Sequence, residues 1–108
     1  MQTEQLSLTH DPASFHAATL LALGESALVQ VIGRATLLES AIGTAGAVER
    51  ATGRRNPGLE RRAWSAFGAA LTELDDACQR LERAGMFAES RRLNERKNRR
   101  IKALDRAI

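Results

Sequence analysis

The side chains that could do chemistry are few and widely spaced in this chain. His10 and His16 are its two histidines, and five residues separate them. Successive metal ligands on one face of a helix lie three or four positions apart, so this pair does not match a zinc site. Cys78 is the single cysteine, which excludes an intrachain disulfide and a cysteine metal cluster. We therefore expect no metal and no cofactor.

The acidic residues and the cysteine do not indicate catalysis either. Glu73, Asp75 and Asp76 form the densest acidic patch, but paired carboxylates act as acid and base only where a cleft pushes their pKa values apart. These three fall on the polar side of an amphipathic helix. Cys78 falls on its apolar side, with no neighbouring histidine to lower the thiol pKa, so we interpret it as a small buried residue. The chain also lacks a glycine-rich phosphate loop and a nucleophile motif. It is predicted not to be an enzyme.

The clearest functional signal is positive charge concentrated at the carboxyl end. Residues 86–108 carry eight basic and three acidic residues, a net charge of +5, whereas the rest of the chain has a net charge of −2. A guanidinium group offers a planar fork of donors to carboxylates and phosphates. At about 100° per residue, several of these cations share one side of a helix. The predicted partner-binding residues are Arg91, Arg92, Arg96, Lys97, Arg99, Arg100, Lys102 and Arg106.

Length and composition indicate one small helical domain. The chain has 108 residues, 44% of them hydrophobic and 27% charged, which is ordinary for a globular protein. Most of the apolar residues are Ala and Leu, which favour helix over sheet. The sequence does not open with a basic stretch followed by an apolar one, and we find no apolar run of membrane-spanning length. We therefore expect a cytoplasmic protein.

Local start and stop signals divide residues 1–108 into a short arm and three helices. Residues 1–10 read as an irregular arm, after which Asp11 can cap a helix that begins at Pro12. Gly53 suits the left-handed position that ends a helix, and Asn56 suits a cap before a helix starting at residue 57. A turn near residue 85 closes that second helix. The predicted helices are 12–53, 57–83 and 86–108.

Two glycines leave the number of helices open. A break at Gly24 would give four helices, whereas tolerance of Gly85 inside a helix would make residues 57–108 one rod antiparallel to the first. Residues 27–34 also resemble a strand, but their alternation fails after Val31. The prediction is an all-α antiparallel bundle of three long helices, four if the first breaks near Gly24, with a long helical hairpin as the alternative.

Helix lengths suggest self-association. At about 1.5 Å per residue, an unbroken first helix would be roughly 63 Å long and the second roughly 40 Å. The overhanging part would expose an apolar stripe, which is a natural surface for a second copy. We therefore expect a homodimer.

The last predicted helix has only a thin apolar side. Leu93, Ile101 and Leu104 share that side with Lys97, and Arg100 projects toward it. The stems of such long basic side chains can lie along apolar surface while their charges reach water. We therefore expect this helix to be incompletely buried, with adhesion left over for another molecule.

The run RRLNERKNRRIKALDRAI resembles the carboxyl-terminal helix of flagellar hook-filament junction chaperones. In that family a leucine–asparagine pair is followed by a second asparagine and an apolar stripe, and the second asparagine usually has a glycine beside it. The matching positions here are Leu93, Asn94 and Asn98, with Ile101 and Leu104 as the stripe. The second asparagine comes one residue late, and Arg99 replaces the glycine. The resemblance implies the wider class of helical secretion chaperones and adaptors.

Two functions are consistent with these patterns. The first is a non-enzymatic protein-binding helical module of a bacterium, of adaptor, chaperone or inhibitor type, which presents its basic carboxyl-terminal helix to an acidic or helical protein and not to a membrane. The alternative is a nucleic-acid-binding protein that uses the same arginines on phosphates, with binding that weakens as salt rises. That alternative lacks an aromatic residue after Phe87 to stack on bases.

Overall fold

The computed structural model describes residues 12–108 as three α-helices joined by two short turns. Helix α1 spans Pro12–Thr52, α2 spans Pro57–Arg83 and α3 spans Phe87–Ala107. The helices run up, down and up, and each packs against the other two. This confirms the predicted all-α bundle in its three-helix form. The predicted arm over residues 1–10 and the predicted cap at Asp11 lie outside the described residues.

Helix α1 is continuous through Gly24 and through residues 27–34, which excludes both the four-helix alternative and the strand. Gly24 is buried. A Cβ placed on it would lie 2.6 Å from Cδ1 of Leu93 in α3 and 3.4 Å from Cδ1 of Leu81 in α2. The missing side chain at Gly24 therefore serves the close approach of the other two helices and not a break in α1.

The turn between α1 and α2 uses the residues that the sequence indicates. Gly53 follows the last residue of α1 with a φ of +71°, a conformation that suits glycine. The side chain of Asn56 accepts a 3.0 Å hydrogen bond from the backbone N–H of Gly58, and Pro57 opens α2. The residues of the turn itself are therefore enough to determine where the chain reverses direction.

The turn between α2 and α3 is a Schellman motif centred on Gly85. Gly85 has a φ of +79°, and its N–H donates to the carbonyl of Glu82 at 2.9 Å. The N–H of Met86 donates to the carbonyl of Leu81 at 2.8 Å. These two bonds satisfy carbonyls at the end of α2 and turn the chain back on itself. The long-hairpin alternative is therefore excluded.

The core is one cluster to which all three helices contribute. Helices α1 and α2 pack along most of their length, and several of their residues have no accessible surface, among them Leu28, Leu38, Leu74 and Leu81. The bundle is long and flat, with extents of 70 × 25 × 17 Å. Each helix therefore has a long side that faces the surroundings of the bundle.

Candidate binding surfaces

The apolar side of α3 belongs to the core. Leu93 and Leu104 are only 1% and 2% exposed, and Ile101 is half-buried against the same cluster. The prediction that this side is incompletely covered is therefore wrong for Leu93 and Leu104. The physical reason is that the missing side chain at Gly24 allows Leu93 to pack closely against α1. The turn at Gly85 directs α3 along the junction of α1 and α2.

Two of the predicted partner-binding cations are tied to α1. The Nη1 atom of Arg96 lies 3.1 Å from Oε2 of Glu25, and Nη1 of Arg100 lies 2.7 Å from Oε1 of Glu39. Arg100 also donates through Nη2 to the hydroxyl of Thr36 at 3.3 Å. The ends of these two side chains are therefore directed at α1, and they help to set the rotation of α3 about its own axis.

Five of the other predicted cations line the outward side of α3, where all are exposed. Arg92 makes a 3.6 Å ion pair with Glu89 of the same helix, which is weak at this exposure. Glu95 is a single acid within the array, and Lys97 lies half-buried on the opposite side of α3. Among residues 12–108, the other four cations of the array form no ion pair. We call the array the basic face of α3: Arg91, Arg92, Arg99, Lys102 and Arg106.

The outer side of α1 is a second candidate surface, and it carries no charge. Apolar side chains are spread almost evenly around α1, whereas a helix on a soluble surface normally confines them to one side. Phe15, Val29 and Leu37 are 62%, 61% and 55% exposed. Glu25 and Arg34 lie at the two borders of this outer side. The α1 outer face consists of seventeen exposed residues: Phe15, Ala18, Thr19, Ala22, Leu23, Ser26, Val29, Gln30, Gly33, Thr36, Leu37, Ser40, Gly43, Thr44, Ala47, Val48 and Ala51.

The same composition makes α1 long and apolar enough to cross a membrane, by length and composition alone. Glu25 and Arg34 are the charged residues between Phe15 and Leu38. The prediction that the chain has no apolar run of membrane-spanning length is therefore wrong by length and composition. A core helix of a soluble protein can have this composition as well, so the feature does not place the chain in a membrane.

A groove between α1 and α2 adjoins the α1 outer face. Its volume is about 400 Å³, and its lining is mostly small or apolar. Leu37 from α1 and Leu59 from α2 are both about half exposed there, beside Ala41 and Ala63. The groove extends the apolar surface of α1 onto the neighbouring helix.

Cys78 is 3% exposed in the core, where its thiol lies 4.0 Å from the carbonyl oxygen of Ser90. Burial raises the pKa of the Cys78 thiol above its ordinary value, and a hydrogen bond with the side chain of Ser90 and the charge of Lys97 only partly oppose this effect. The thiolate that would act as a nucleophile is therefore disfavoured. The interpretation of Cys78 as a small buried residue is confirmed.

The remaining candidates for chemistry are dispersed. Glu73, Asp75 and Asp76 are all exposed on α2, and none of them forms an ion pair with α3 in the described part of the chain. His16 is exposed near the start of α1. Within residues 12–108, three or more His, Cys, Asp or Glu side chains are nowhere grouped so that they could hold a metal ion.

Comparisons of the chain with protein families, with curated proteins and with solved structures gave no match. In the resemblance to flagellar chaperones, Leu93 matches the leucine of the leucine–asparagine pair, and Ile101 and Leu104 match the apolar stripe. Leu93 and Leu104 are buried in this chain's own core, and Ile101 is partly buried against it. The exposed surfaces and their charges are therefore the features of this chain that bear on function.

Proposed function

We propose that this chain is a non-enzymatic protein-binding helical module, of adaptor, chaperone or inhibitor type, that presents the basic face of α3 to an acidic partner. The observation that carries the proposal is the division of charge on α3. Arg96 and Arg100 reach carboxylates of α1 at 3.1 Å and 2.7 Å, whereas the basic face points to solvent. Cations that do not hold the bundle together are available to another molecule.

The spacing of the basic face suits recognition of an extended acidic surface. Arg92, Arg99 and Arg106 recur every seven residues, which is about 10.5 Å along a helix. Each guanidinium can form two parallel hydrogen bonds with one carboxylate. Long-range attraction between opposite charges also speeds encounter, particularly at low salt.

Burial of Leu93 and Leu104 changes the expected mechanism of binding. An amphipathic helix that docks through its apolar side needs that side free, and here the bundle already covers it. Binding by α3 therefore depends on charge and on the stems of the exposed arginines. We expect an affinity that falls as the salt concentration rises, because exposed charges are screened within about 8 Å at physiological ionic strength.

A nucleic acid is the second candidate partner, and the exposure of the basic face favours it. Five outward cations on one straight helix can follow a phosphate backbone. If all five contacted phosphates of a duplex, the logarithm of the binding constant would fall with the logarithm of salt with a slope of about −4.5. Glu95 within the array and the lack of aromatic residues after Phe87 disfavour this candidate relative to an acidic protein.

The deciding experiment compares two triple variants of equal charge change. The test variant is Arg92→Gln, Arg99→Gln and Arg106→Gln, on the basic face. The control variant is Arg61→Gln, Arg80→Gln and Arg83→Gln, at exposed positions of α2. Cross-linking in cells followed by mass spectrometry should recover a protein partner with the wild-type chain and the control, but not with the test variant. Equal recovery with both variants would refute the use of this face.

Nucleic-acid binding is measured on the same proteins. Fluorescence anisotropy with labelled duplex DNA and single-stranded RNA, at low and at moderate salt, should give no binding if the protein candidate is right. Steeply salt-dependent binding that only the test variant loses would establish the nucleic-acid candidate in its place. Circular dichroism should show unchanged helicity for both variants, because none of the six arginines is buried.

A further inference from the structure

The α1 outer face is uncharged along its whole length, and eleven of its seventeen residues are apolar or glycine. Within residues 12–108, Arg100 of α3 reaches its edge through the hydrogen bond to Thr36, and the rest of the face is exposed. The face extends from Phe15 to Ala51, about 54 Å at about 1.5 Å per residue, without a charged side chain. Phe15, Val29 and Leu37 each expose more than half of their surface. A contiguous uncharged surface with charged residues only at its borders is typical of a binding site for another apolar surface.

Small residues occupy six of the seven positions along the midline of this face. At about 100° per residue, positions seven or eleven apart fall within about 20° of one line along the helix. A Cβ at Gly33 would meet no atom within 4 Å, so the chain leaves this line open. Small side chains allow the axes of two packed helices to approach to about 8 Å. The midline consists of Phe15, Ala22, Ser26, Gly33, Ser40, Thr44 and Ala51.

We propose that a second copy of this chain covers the α1 outer face, with the two α1 helices antiparallel and crossing at Gly33. The midline positions are symmetric about Gly33, so a two-fold axis at that residue brings Phe15 level with Ala51 of the second copy. Val29 and Leu37 lie four residues to either side of Gly33 and flank the crossing. A face that presents its one bulky midline residue to a small one is complementary to itself, as a two-fold interface requires.

The size of the face fits a dimer interface. A stable interface of standard size takes about 20 to 30 residues from each partner. The α1 outer face supplies seventeen, and the adjoining groove adds residues of α2 such as Leu59, Ala63 and Ala66. Two copies therefore have enough surface for stable association.

Charge argues for a second copy over other occupants. A nucleic acid is disfavoured because the face holds no cation. Helices that lie on a membrane surface carry Lys and Arg along their polar side. The charges beside this face near its centre include three acids, Glu25 of α1 and Glu73 and Asp76 of α2, next to the base Arg34. An identical uncharged face requires no charge to be buried.

The oligomeric state of the full chain tests the proposal. Sedimentation velocity over about 1 to 200 μM covers the concentrations at which a dimer with a micromolar Kd begins to dissociate. The wild-type chain should be a dimer in this range. The variant Val29→Glu with Leu37→Glu should raise the dissociation constant at least about 100-fold, because four carboxylates would be buried without partners. The control Ser65→Glu with Thr72→Glu adds the same charge at exposed positions of α2 and should leave the dimer intact.

Disulfide trapping tests the antiparallel register. In a Cys78→Ala background, a mixture of Ser26→Cys and Ser40→Cys chains should form a mixed disulfide, because these positions become level across the axis. Each variant alone should not cross-link, because its two copies would lie about 21 Å apart along the helix, beyond the roughly 7 Å that a disulfide allows between Cα atoms. Cross-linking of each variant with itself would mean a parallel pair and would overturn the register.

Three results would overturn the interface itself. A monomer at every concentration would do so, as would a dimer equally weakened by both glutamate variants. A chain that stays monomeric and floats with phosphatidylglycerol vesicles, unless it carries the Val29→Glu and Leu37→Glu changes, would assign the face to lipid instead. Because the face lies on α1 and the basic face lies on α3, failure of either proposal leaves the other standing.

Discussion

Nη1 of Arg100 lies 2.7 Å from Oε1 of Glu39, across the interface between α3 and α1, with the two side chains only 18% and 31% exposed. The two residues are 61 positions apart in the sequence. Partial burial strengthens their attraction relative to a fully exposed pair, and the shared contact with Thr36 adds a hydrogen bond. This pair helps to decide which arginines of α3 turn inward and which form the basic face.

The Arg100–Glu39 pair should contribute measurably to stability. Arg100→Gln should lower the free energy of unfolding by about 1–2 kcal/mol, between the small values of exposed pairs and the larger ones of buried pairs. The neighbouring change Arg99→Gln removes the same charge from the basic face and should alter stability by less than about 0.5 kcal/mol. Urea denaturation measures both, and a double-mutant cycle with Glu39→Gln isolates the pair. Equal effects of the two arginine changes would contradict this role.

Any side chain at position 24 should lower the free energy of unfolding. Gly24→Ala places a Cβ 2.6 Å from Cδ1 of Leu93, which has little room to move because it is 1% exposed. Overpacking of about 1–3 kcal/mol should outweigh the helix propensity gained, about 1 kcal/mol, and the variant should unfold at lower urea. The matched change Gly68→Ala meets no atom within 4 Å and should stabilise the chain by up to about 1 kcal/mol. A stabilising Gly24→Ala would mean that α3 does not approach α1 closely.

The apolar side of α3 should behave as core and not as a docking surface. Leu93→Ala and Leu104→Ala should each cost about 2–5 kcal/mol of stability, because both residues are almost fully buried. Phe87→Ala and Ile108→Ala remove apolar side chains that are 61% and 53% exposed, and each should cost less than about 1 kcal/mol. Thermal unfolding followed by circular dichroism distinguishes the pairs. Little loss of stability from the two leucine changes would mean that the apolar side of α3 is not part of the core.

Cys78 should be protected in the native bundle and should contribute to the loss of stability at high pH. Because burial raises its pKa in the folded state, the stability it contributes is fully present below its ordinary pKa of 9.0 and is lost as the pH rises through the higher folded value. Its reaction with a thiol reagent near pH 8 should be slow in buffer and fast in denaturant. Cys78→Ala should remove this part of the alkaline dependence. Rapid native labelling would show that the thiol is accessible.

The ends of the helices could be predicted from the sequence because they depend on neighbouring residues. Asn56 and Pro57 start α2 through a side-chain cap and a fixed φ, and Gly53 and Gly85 end their helices by adopting a positive φ. The charge of residues 86–108 is likewise a property of the chain itself. These features involve contacts or backbone angles within a few residues, so they could be inferred before any packing was known.

Tertiary structure alone decided how the helices face one another. The role of Gly24, the burial of Leu93, and the split between paired and outward arginines all depend on contacts between residues far apart in the chain. The uncharged residues of α1 could be read from the sequence, but which of them remain exposed depends on where α2 and α3 lie. A helix has several sides that can be buried. The packing and ion pairing of all three helices together decide which side is buried, so no single segment of the sequence determines it.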